Sequence, residues 1–185
     1  MHAAESRWST TRLVLRPWTA ADHAPFIALN LDPEVMRHFP RPLPREETLA
    51  FIETTSAHIE RHGYGFWAVE RRDTRAFIGM VGLSTLLPEW HPCAGGVEVG
   101  WRLAAEHWGH GFATEAGREA LRVGFEVAGL DEIVAYTATI NAPSRAVMRR
   151  LGMREDETLA FEHPRLPPGH PLRSHVVYRL EAPGR

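Results

Sequence analysis

The sequence contains only one cysteine, almost no net charge and no long apolar run. Cys93 has no second thiol to pair with, which excludes an internal disulfide and suits a reducing compartment. The formal charge is −2, so the basic surface of a nucleic-acid-binding protein is not expected. No apolar stretch approaches the ~20 residues needed to cross a bilayer, and residues 1–10 lack the apolar core of a signal peptide. We therefore expect a cytoplasmic protein with neither a nucleic-acid nor a membrane partner.

The length and the histidine pattern bound the domain organisation and the metal chemistry. A chain of 185 residues suffices for one domain with a substantial core, and it contains no internal repeat. We expect a loose segment at residues 1–10 and a single domain at residues 11–182. Eleven histidines are dispersed along the chain. His58 and His62 have the spacing of metal ligands on a helix, but no third ligand accompanies them, so we predict no metal site.

The most informative stretch runs from Val97 to Ala128 and predicts a strand, a glycine-bearing turn and a helix. Apolar and polar residues alternate from Val97 to Arg102, which is the period of a half-buried strand. Gly109 and Gly111 then precede a segment with apolar residues at helical spacing. Glycines just before a helix leave backbone N–H groups open, so this turn is a candidate site for a phosphate or pyrophosphate.

The spacing of these glycines alone does not identify a ligand. The dinucleotide-binding fingerprint requires a third small residue where Thr114 stands, and the chain has no Gly-Lys-Ser/Thr tripeptide. A tight turn with no ligand is equally consistent with the spacing.

A resemblance to a known family gives the turn a function. Trp108 to Ala113 resembles motif A of the GNAT N-acetyltransferases (Arg/Gln-x-x-Gly-x-Gly/Ala), with Trp108 in place of the usual first residue. The run from Glu98 to Ala116, and Asn141 to Ser144 downstream, resemble the RimJ/RimL branch more closely. The order and spacing of these pieces cover most of residues 13–180. The resemblance implies transfer of an acetyl group from acetyl-CoA to an amine.

The remaining patterns are consistent with such a fold. Helices are predicted from Thr19 to Asn30, from Asp32 towards His38, from Arg45 to His62, and from Asn141 to Gly152; strands are predicted around residues 12–16, 65–70, 76–83, 131–140 and 175–180. This arrangement predicts an α+β fold of three layers, α/β/α. The resemblance implies a GNAT-like mixed, mostly antiparallel central sheet that is splayed at the acyl-CoA site.

The resemblance also implies which residues bind acetyl-CoA, the expected co-substrate. The pyrophosphate would lie on the turn and helix start formed by Trp108, Gly109, His110, Gly111, Phe112, Ala113 and Thr114. The backbone of Trp101 and Leu103 would pair with the pantetheine amides, as an added strand does. Asn141 matches the family asparagine that hydrogen-bonds the pantetheine arm.

Glu98 and Ser144 are the candidate catalytic residues. Alkyl amines with a pKa near 10.4 are mostly protonated at neutral pH, so a base is useful, and Glu98 matches the RimJ/RimL glutamate. Ser144 matches a family hydroxyl that donates a proton to the departing sulfur. Two alternatives remain open: Glu98 pairs structurally with an arginine, and Ser144 only caps a helix. Glu115 is expected to balance the helix dipole.

The sequence thus predicts an N-acetyltransferase that acts directly on a primary amine, either a protein N-terminus or a small molecule. One alternative is a GNAT-like module that binds acyl-CoA without transferring it. A second, ranked low, is a histidine-ligated metal enzyme. The sequence leaves the oligomeric state open, a homodimer included.

Overall fold

The computed structural model describes residues 7–184. The first six residues of the expected loose segment lie outside the described residues. Trp8 and Ser9, at the end of that segment, pair with the strand that follows.

The described chain alternates short strands with four α-helices. The strands are β1 (Trp8–Ser9), β2 (Leu13–Arg16), β3 (Phe66–Arg71), β4 (Phe77–Thr85), β5 (Val97–Leu103), β6 (Glu132–Ala138), β7 (Arg154–Glu155), β8 (Phe161–Glu162) and β9 (Ser174–Glu181). The helices are α1 (Ala20–Leu31), α2 (Arg45–His62), α3 (Phe112–Arg122) and α4 (Ala142–Arg150). A π-helical turn, Val123–Val127, extends α3.

One mixed sheet with helices on both faces forms the core, which confirms the predicted fold class. The strands lie in the order β1-β2-β3-β4-β5-β6-β9-β7, with β8 beside β9. All neighbouring pairs are antiparallel except β5 and β6. On β3 and β4, Phe66 and Met80 pack towards α1 and α2, whereas Trp67 and Val81 pack on the face that α3 and α4 cover. The sheet is therefore the middle of three layers.

Local signals correctly predicted the two N-terminal helices. Thr19 and Asp22 form a capping box at the start of α1. Helix α2 has the predicted bounds, and Gly63 ends it in the left-handed conformation. The short helix predicted from Asp32 was wrong, because residues 33–38 form turns. The N–H of Met36 donates to the carbonyl of Asp32, but the prolines that follow at 40, 42 and 44 prevent such a turn from propagating.

The parallel pair β5–β6 opens into the splay that the prediction required. In the described chain these two strands share one pair of Cα partners, Glu98 and Val134. Beyond that pair their carboxyl ends diverge, and α3 and α4 begin close after those ends. In α/β sheets, ligands bind in the crevice outside the carboxyl ends of the strands, which directs attention to this edge. No helix of residues 7–184 combines the length and apolarity needed to cross a membrane.

Candidate functional site

The turn before α3 has the backbone of an anion site. Gly109 and Gly111 both have φ of 79°, a left-handed conformation that favours glycine. A Cβ at Gly109 would meet nothing within 4 Å, and one at Gly111 would have Arg12 Nη2 as its nearest atom, at 3.7 Å. No side chain of the described residues caps α3, so the N–H groups of its first turn are left for a ligand at the positive end of the helix dipole.

Glu115 lies in this first turn but its carboxylate is occupied by the N-terminal segment. It accepts hydrogen bonds from the hydroxyl of Thr10 at 2.5 Å, the N–H of Arg12 at 2.9 Å and the Nε of Arg12 at 2.6 Å. The guanidinium groups of Arg12 and Arg71 lie 4.6 and 5.4 Å from the centroid of the Phe112 ring. Two cations thus flank the start of α3, and the nearby carboxylate is partly neutralised by one of them.

Trp108 fastens the turn to the end of β5. Its indole Nε1 donates to the carbonyl of Leu103 at 2.9 Å. The guanidinium of Arg37 lies over the indole ring, 5.3 Å from its centroid. Trp108 therefore holds the glycine turn against the open edge of the sheet.

The edge of β5 presents backbone groups to the splay. The N–H of Ala104 donates to the carbonyl of Ile78, so residues of even number pair with β4. By the alternation of an antiparallel ladder, Trp101 and Leu103 direct their N–H and C=O groups the other way, towards β6. The Leu103 carbonyl already accepts a hydrogen bond from Trp108. The groups left for an extended ligand are therefore the N–H and C=O of Trp101 and the N–H of Leu103.

The start of α4 faces the same opening. The Asn141 side-chain oxygen accepts from the N–H of Ser144 at 3.3 Å, and its nitrogen donates to the Thr137 hydroxyl at 2.9 Å. Asn141 is therefore the residue that caps α4. The hydroxyl of Ser144 is half-buried and has no hydrogen-bond partner among the described residues.

Glu98 lies at the position where β5 pairs with β6, opposite Val134. Its carboxylate has neither a hydrogen bond nor an ion pair with any residue of 7–184, so the arginine partner considered as an alternative is not found there. The side chain is half-buried, and burial raises the pKa of Glu98 to about 7. A carboxyl group in this state is half ionised near neutral pH.

Sequence reasoning missed two residues on the same face of the sheet. Tyr136 follows Val134 by two positions on β6, and burial, then the charge of Glu98, raises the pKa of its phenol. Arg102 follows Glu98 by four positions on β5 and donates from Nη1 to the Asn30 side chain at 2.6 Å. The signal that could have found both is the two-residue period, which places them on Glu98's face.

The match to a family of known proteins agrees with this geometry. A family model described as "Acetyltransferase (GNAT) domain" matches residues 12–154. The chain belongs to the GNAT acetyltransferase family. It is accordingly an acyltransferase, and acetyl-CoA is the acetyl donor that the family uses.

Individual relatives are similar over most of this GNAT chain. The N-acetyltransferase YoaA of Bacillus subtilis is 32% identical over 153 residues, covering 81% of this chain and 84% of the relative. FsC-acetyl coenzyme A-N(2)-transacetylase of Aspergillus fumigatus is 32% identical over 175 residues, covering 90% and 72%. A solved acetyltransferase from Agrobacterium tumefaciens superimposes with a TM-score of 0.76 at 27% identity, covering 95% and 94%.

In this GNAT enzyme an aromatic cluster lies beside Tyr136, on the face of the sheet that carries Glu98. His91 is buried, and its ring lies 4.5 Å from that of Tyr136 and 4.9 Å from that of Phe161. The Nδ1 of His91 accepts from the N–H of Cys93 at 3.0 Å, and burial lowers the pKa of His91 to about 4. The loop that carries His91 therefore packs on β6 beside Tyr136. In residues 7–184 no three His, Cys, Asp or Glu side chains are grouped so as to hold a metal ion.

Proposed function

We propose that this GNAT enzyme transfers the acetyl group of acetyl-CoA directly to a primary amine, with Glu98 as the general base. The observation that carries the proposal is the Glu98 carboxylate, which is unpaired at the bottom of the splay and has its pKa raised to about 7. A base with a pKa near the working pH is the efficient choice for taking a proton from an amine.

The donor is proposed to bind along the edges described above. The open N–H groups from Gly109 to Thr114 suit a pyrophosphate, since no Cβ at Gly109 or Gly111 blocks its approach. The backbone of Trp101 and Leu103 suits the amides of the pantetheine arm. Asn141 would add a hydrogen bond to that arm while it caps α4.

The chemical step needs two proton transfers. Glu98 accepts a proton from the acceptor ammonium, directly or through water, and the freed nitrogen attacks the acetyl carbonyl carbon. The carbon–sulfur bond then breaks, and the second proton of the acceptor nitrogen passes through Ser144 to the departing thiolate: the Ser144 hydroxyl donates its own proton to the sulfur and takes the nitrogen's proton in return. Cys93 is not assigned a role, because burial, followed by the charge of Glu132, raises the pKa of its thiol and disfavours the nucleophilic thiolate.

The finer assignments extend the family result. We propose a RimJ/RimL-like enzyme of the cytoplasm, formed by one domain at residues 11–182. The quoted motifs from Glu98 to Ala116 support the branch, and the single cysteine supports a reducing compartment. The acceptor is a protein N-terminus or a small amine, and the name of the Aspergillus fumigatus relative, an N(2)-transacetylase, favours a small molecule.

The binding half of the proposal is tested by Gly111→Val, with Gly169→Val as the matched control. Both glycines have φ near 80° and open space at Cβ, so both variants carry similar backbone strain. Gly169 lies outside the proposed site. Calorimetry should show acetyl-CoA affinity reduced roughly tenfold or more by Gly111→Val, through loss of amide contacts to a charged group, and unchanged by Gly169→Val. Equal affinities in two folded variants would reject the site.

The transfer half is tested by release of free thiol from acetyl-CoA across a panel of amines. Release that depends on one class of amine supports an enzyme acting on that class. A protein that binds acetyl-CoA and raises its thermal midpoint with it, yet releases no thiol with any amine, would instead be the binding module without transfer.

A further inference from the structure

Arg102 is a partly buried cation without a counter-ion in the part of the chain that the structure describes. Its Nη1 donates to the Asn30 side-chain oxygen at 2.6 Å, and its guanidinium lies over the Phe39 ring, 4.4 Å from the centroid. Its Nε is buried with no hydrogen-bond partner. Within residues 7–184 no carboxylate forms an ion pair with it. Part of the Arg102 side chain remains accessible to solvent, as part of Glu98 does.

The partner that orients Arg102 is neutral and itself held firmly. Asn30 is fully buried, and its side-chain nitrogen donates to the hydroxyl of Thr48 on α2 at 3.1 Å. The amide oxygen is thereby turned towards Arg102. It offers a hydrogen bond but no negative charge, so the position of the guanidinium is fixed while its charge is left unneutralised. Burial lowers the pKa of Arg102 to about 10, which leaves it protonated at neutral pH.

An unpaired cation in such a place is costly unless a ligand neutralises it. Arginine's planar group presents paired N–H donors that match a carboxylate. Residues 98 and 102 are four positions apart on one face of β5, about 13 Å between Cα atoms at strand spacing. Gly100 lies between them, with only the Phe66 ring near its missing Cβ. The two charged side chains thus flank an uncharged floor.

We propose that Arg102 binds the carboxylate of the acceptor, so that the natural acceptor is an amine of the amino-acid class whose nitrogen faces Glu98. This inference rests on the proposed function and narrows its acceptor. Polyamines are disfavoured, since Arg37, beside Trp108, is a second cation without an ion pair among the described residues. A polycationic acceptor would meet repulsion from both arginines.

The test compares acceptors that have a carboxylate with acceptors that lack one. Thiol release is measured for a panel of L-amino acids, for the corresponding carboxamides, and for spermidine. The wild type should show kcat/KM about 10- to 100-fold higher for the acids than for their amides, the span of a hydrogen-bonded charge pair. Arg102→Gln should reduce this ratio to about one, mainly through KM for the acid.

Two further variants separate charge from folding. Asn30→Asp is nearly isosteric and supplies Arg102 with a permanent counter-charge, so it should also lower the acid-to-amide ratio while acetyl-CoA affinity stays unchanged. Arg41→Gln is the control, because Arg41 is exposed and pairs with Glu47, and it should leave the ratio unaltered. Acetyl-CoA affinity and thermal midpoint, measured for each variant, report whether it is folded.

The outcomes distinguish failure of the carboxylate site from failure of the proposed acetyl transfer. Equal or better use of the amides or of spermidine by the wild type overturns the carboxylate site, as does a preference that survives Arg102→Gln. If Arg102→Gln does not fold, the wild-type ratio together with Asn30→Asp decides. Absence of thiol release with every amine, in protein that binds acetyl-CoA, counts against the proposed function itself.

Discussion

Two arginines on the same sheet, Arg16 and Arg102, are treated in opposite ways. Arg16, at the end of β2, donates to both carboxylate oxygens of Asp22 at 2.7 and 2.9 Å and to Glu70 at 2.9 Å. Arg102, near the end of β5, donates only to a neutral amide. Two carboxylates neutralise the charge of Arg16, whereas no carboxylate of residues 7–184 neutralises the charge of Arg102. Pairing therefore separates a structural cation from one available to a ligand.

The carboxylates of the same two regions show the same contrast. Burial alone would raise the pKa of Asp22, but hydrogen bonds from Arg16 and Thr19 outweigh it and hold that pKa below its usual value. Glu98 has no such partner among residues 7–184, and burial raises its pKa to about 7. One carboxylate is permanently ionised, and the other exchanges its proton near neutral pH.

The largest effect is expected from Glu98→Gln, which removes the unpaired base. The rate of acetyl transfer should fall by about 10²- to 10⁴-fold, with acetyl-CoA affinity unchanged. In the wild type, kcat/KM should rise with pH through a midpoint near 7, because Glu98 must lose its proton to act. Glu98→Gln should lack that limb. A variant with full activity on the true acceptor, or with the limb retained, would contradict the assignment.

Replacing Arg16, whose charge is neutralised by carboxylates, should lower the free energy of unfolding and leave the rate of acetyl transfer unchanged. Arg16→Met leaves Asp22 without its counter-ion, while Glu70 keeps Arg75. Loss of one partner of a buried ion pair typically costs about 3–5 kcal/mol of unfolding free energy. Arg102→Met leaves only the Asn30 amide oxygen without its donor, a loss of about 1–3 kcal/mol. Urea unfolding of the two variants measures the difference. Equal destabilisation would mean that both arginines are structural.

The hydroxyl groups of Thr48 and Ser144 also differ in whether the chain supplies a hydrogen-bond partner. Thr48 accepts a hydrogen bond from Asn30, whereas the Ser144 hydroxyl has no partner among the described residues. Ser144→Ala should lower the maximal rate by about 10²-fold, the lower end for general-acid assistance. The acidic limb of the pH profile should persist, since a serine does not titrate there. An unchanged plateau would show that Ser144 does not donate the proton.

The smallest effect is a difference in the pH dependence of stability. The folded-state pKa of Glu98 lies above its ordinary value of 4.5, so the folded protein binds this proton more tightly. Its contribution is present below pH 4.5 and is lost as the pH rises through 7. Asp22, whose pKa is lowered, contributes stability above its ordinary 3.8 that is lost as the pH falls. Thermal midpoints of Glu98→Gln and wild type should therefore differ more at pH 8 than at pH 4; parallel curves would contradict this.

Much of the fold was predictable because local chemistry decides it. The capping pair Thr19 and Asp22 marks the start of α1, and Gly63 marks the end of α2. Gly109 and Gly111 marked the turn that the structure holds in the left-handed conformation. In each case the deciding residues lie within a few positions of the feature.

The parts that could not be predicted depend on contacts between distant positions. Arg102 meets Asn30 across 72 residues, and Arg12 meets Glu115 across 103. That Glu98 meets no arginine is a property of the assembled sheet, which no local pattern carries. The wrong helix after Asp32 has a local origin instead, because the prolines at 40, 42 and 44 prevent its first turn from propagating.

The single β5–β6 pair at Glu98 and Val134 has a mechanical consequence. Two strands that pair at one position and separate beyond it move relative to each other mostly at their unpaired ends. When the splay widens or narrows around a ligand, the carboxyl ends of the strands are displaced most and the paired residues least. We therefore expect the Glu98 carboxylate, the proposed base, to lie where the two strands move least when the width of the splay changes.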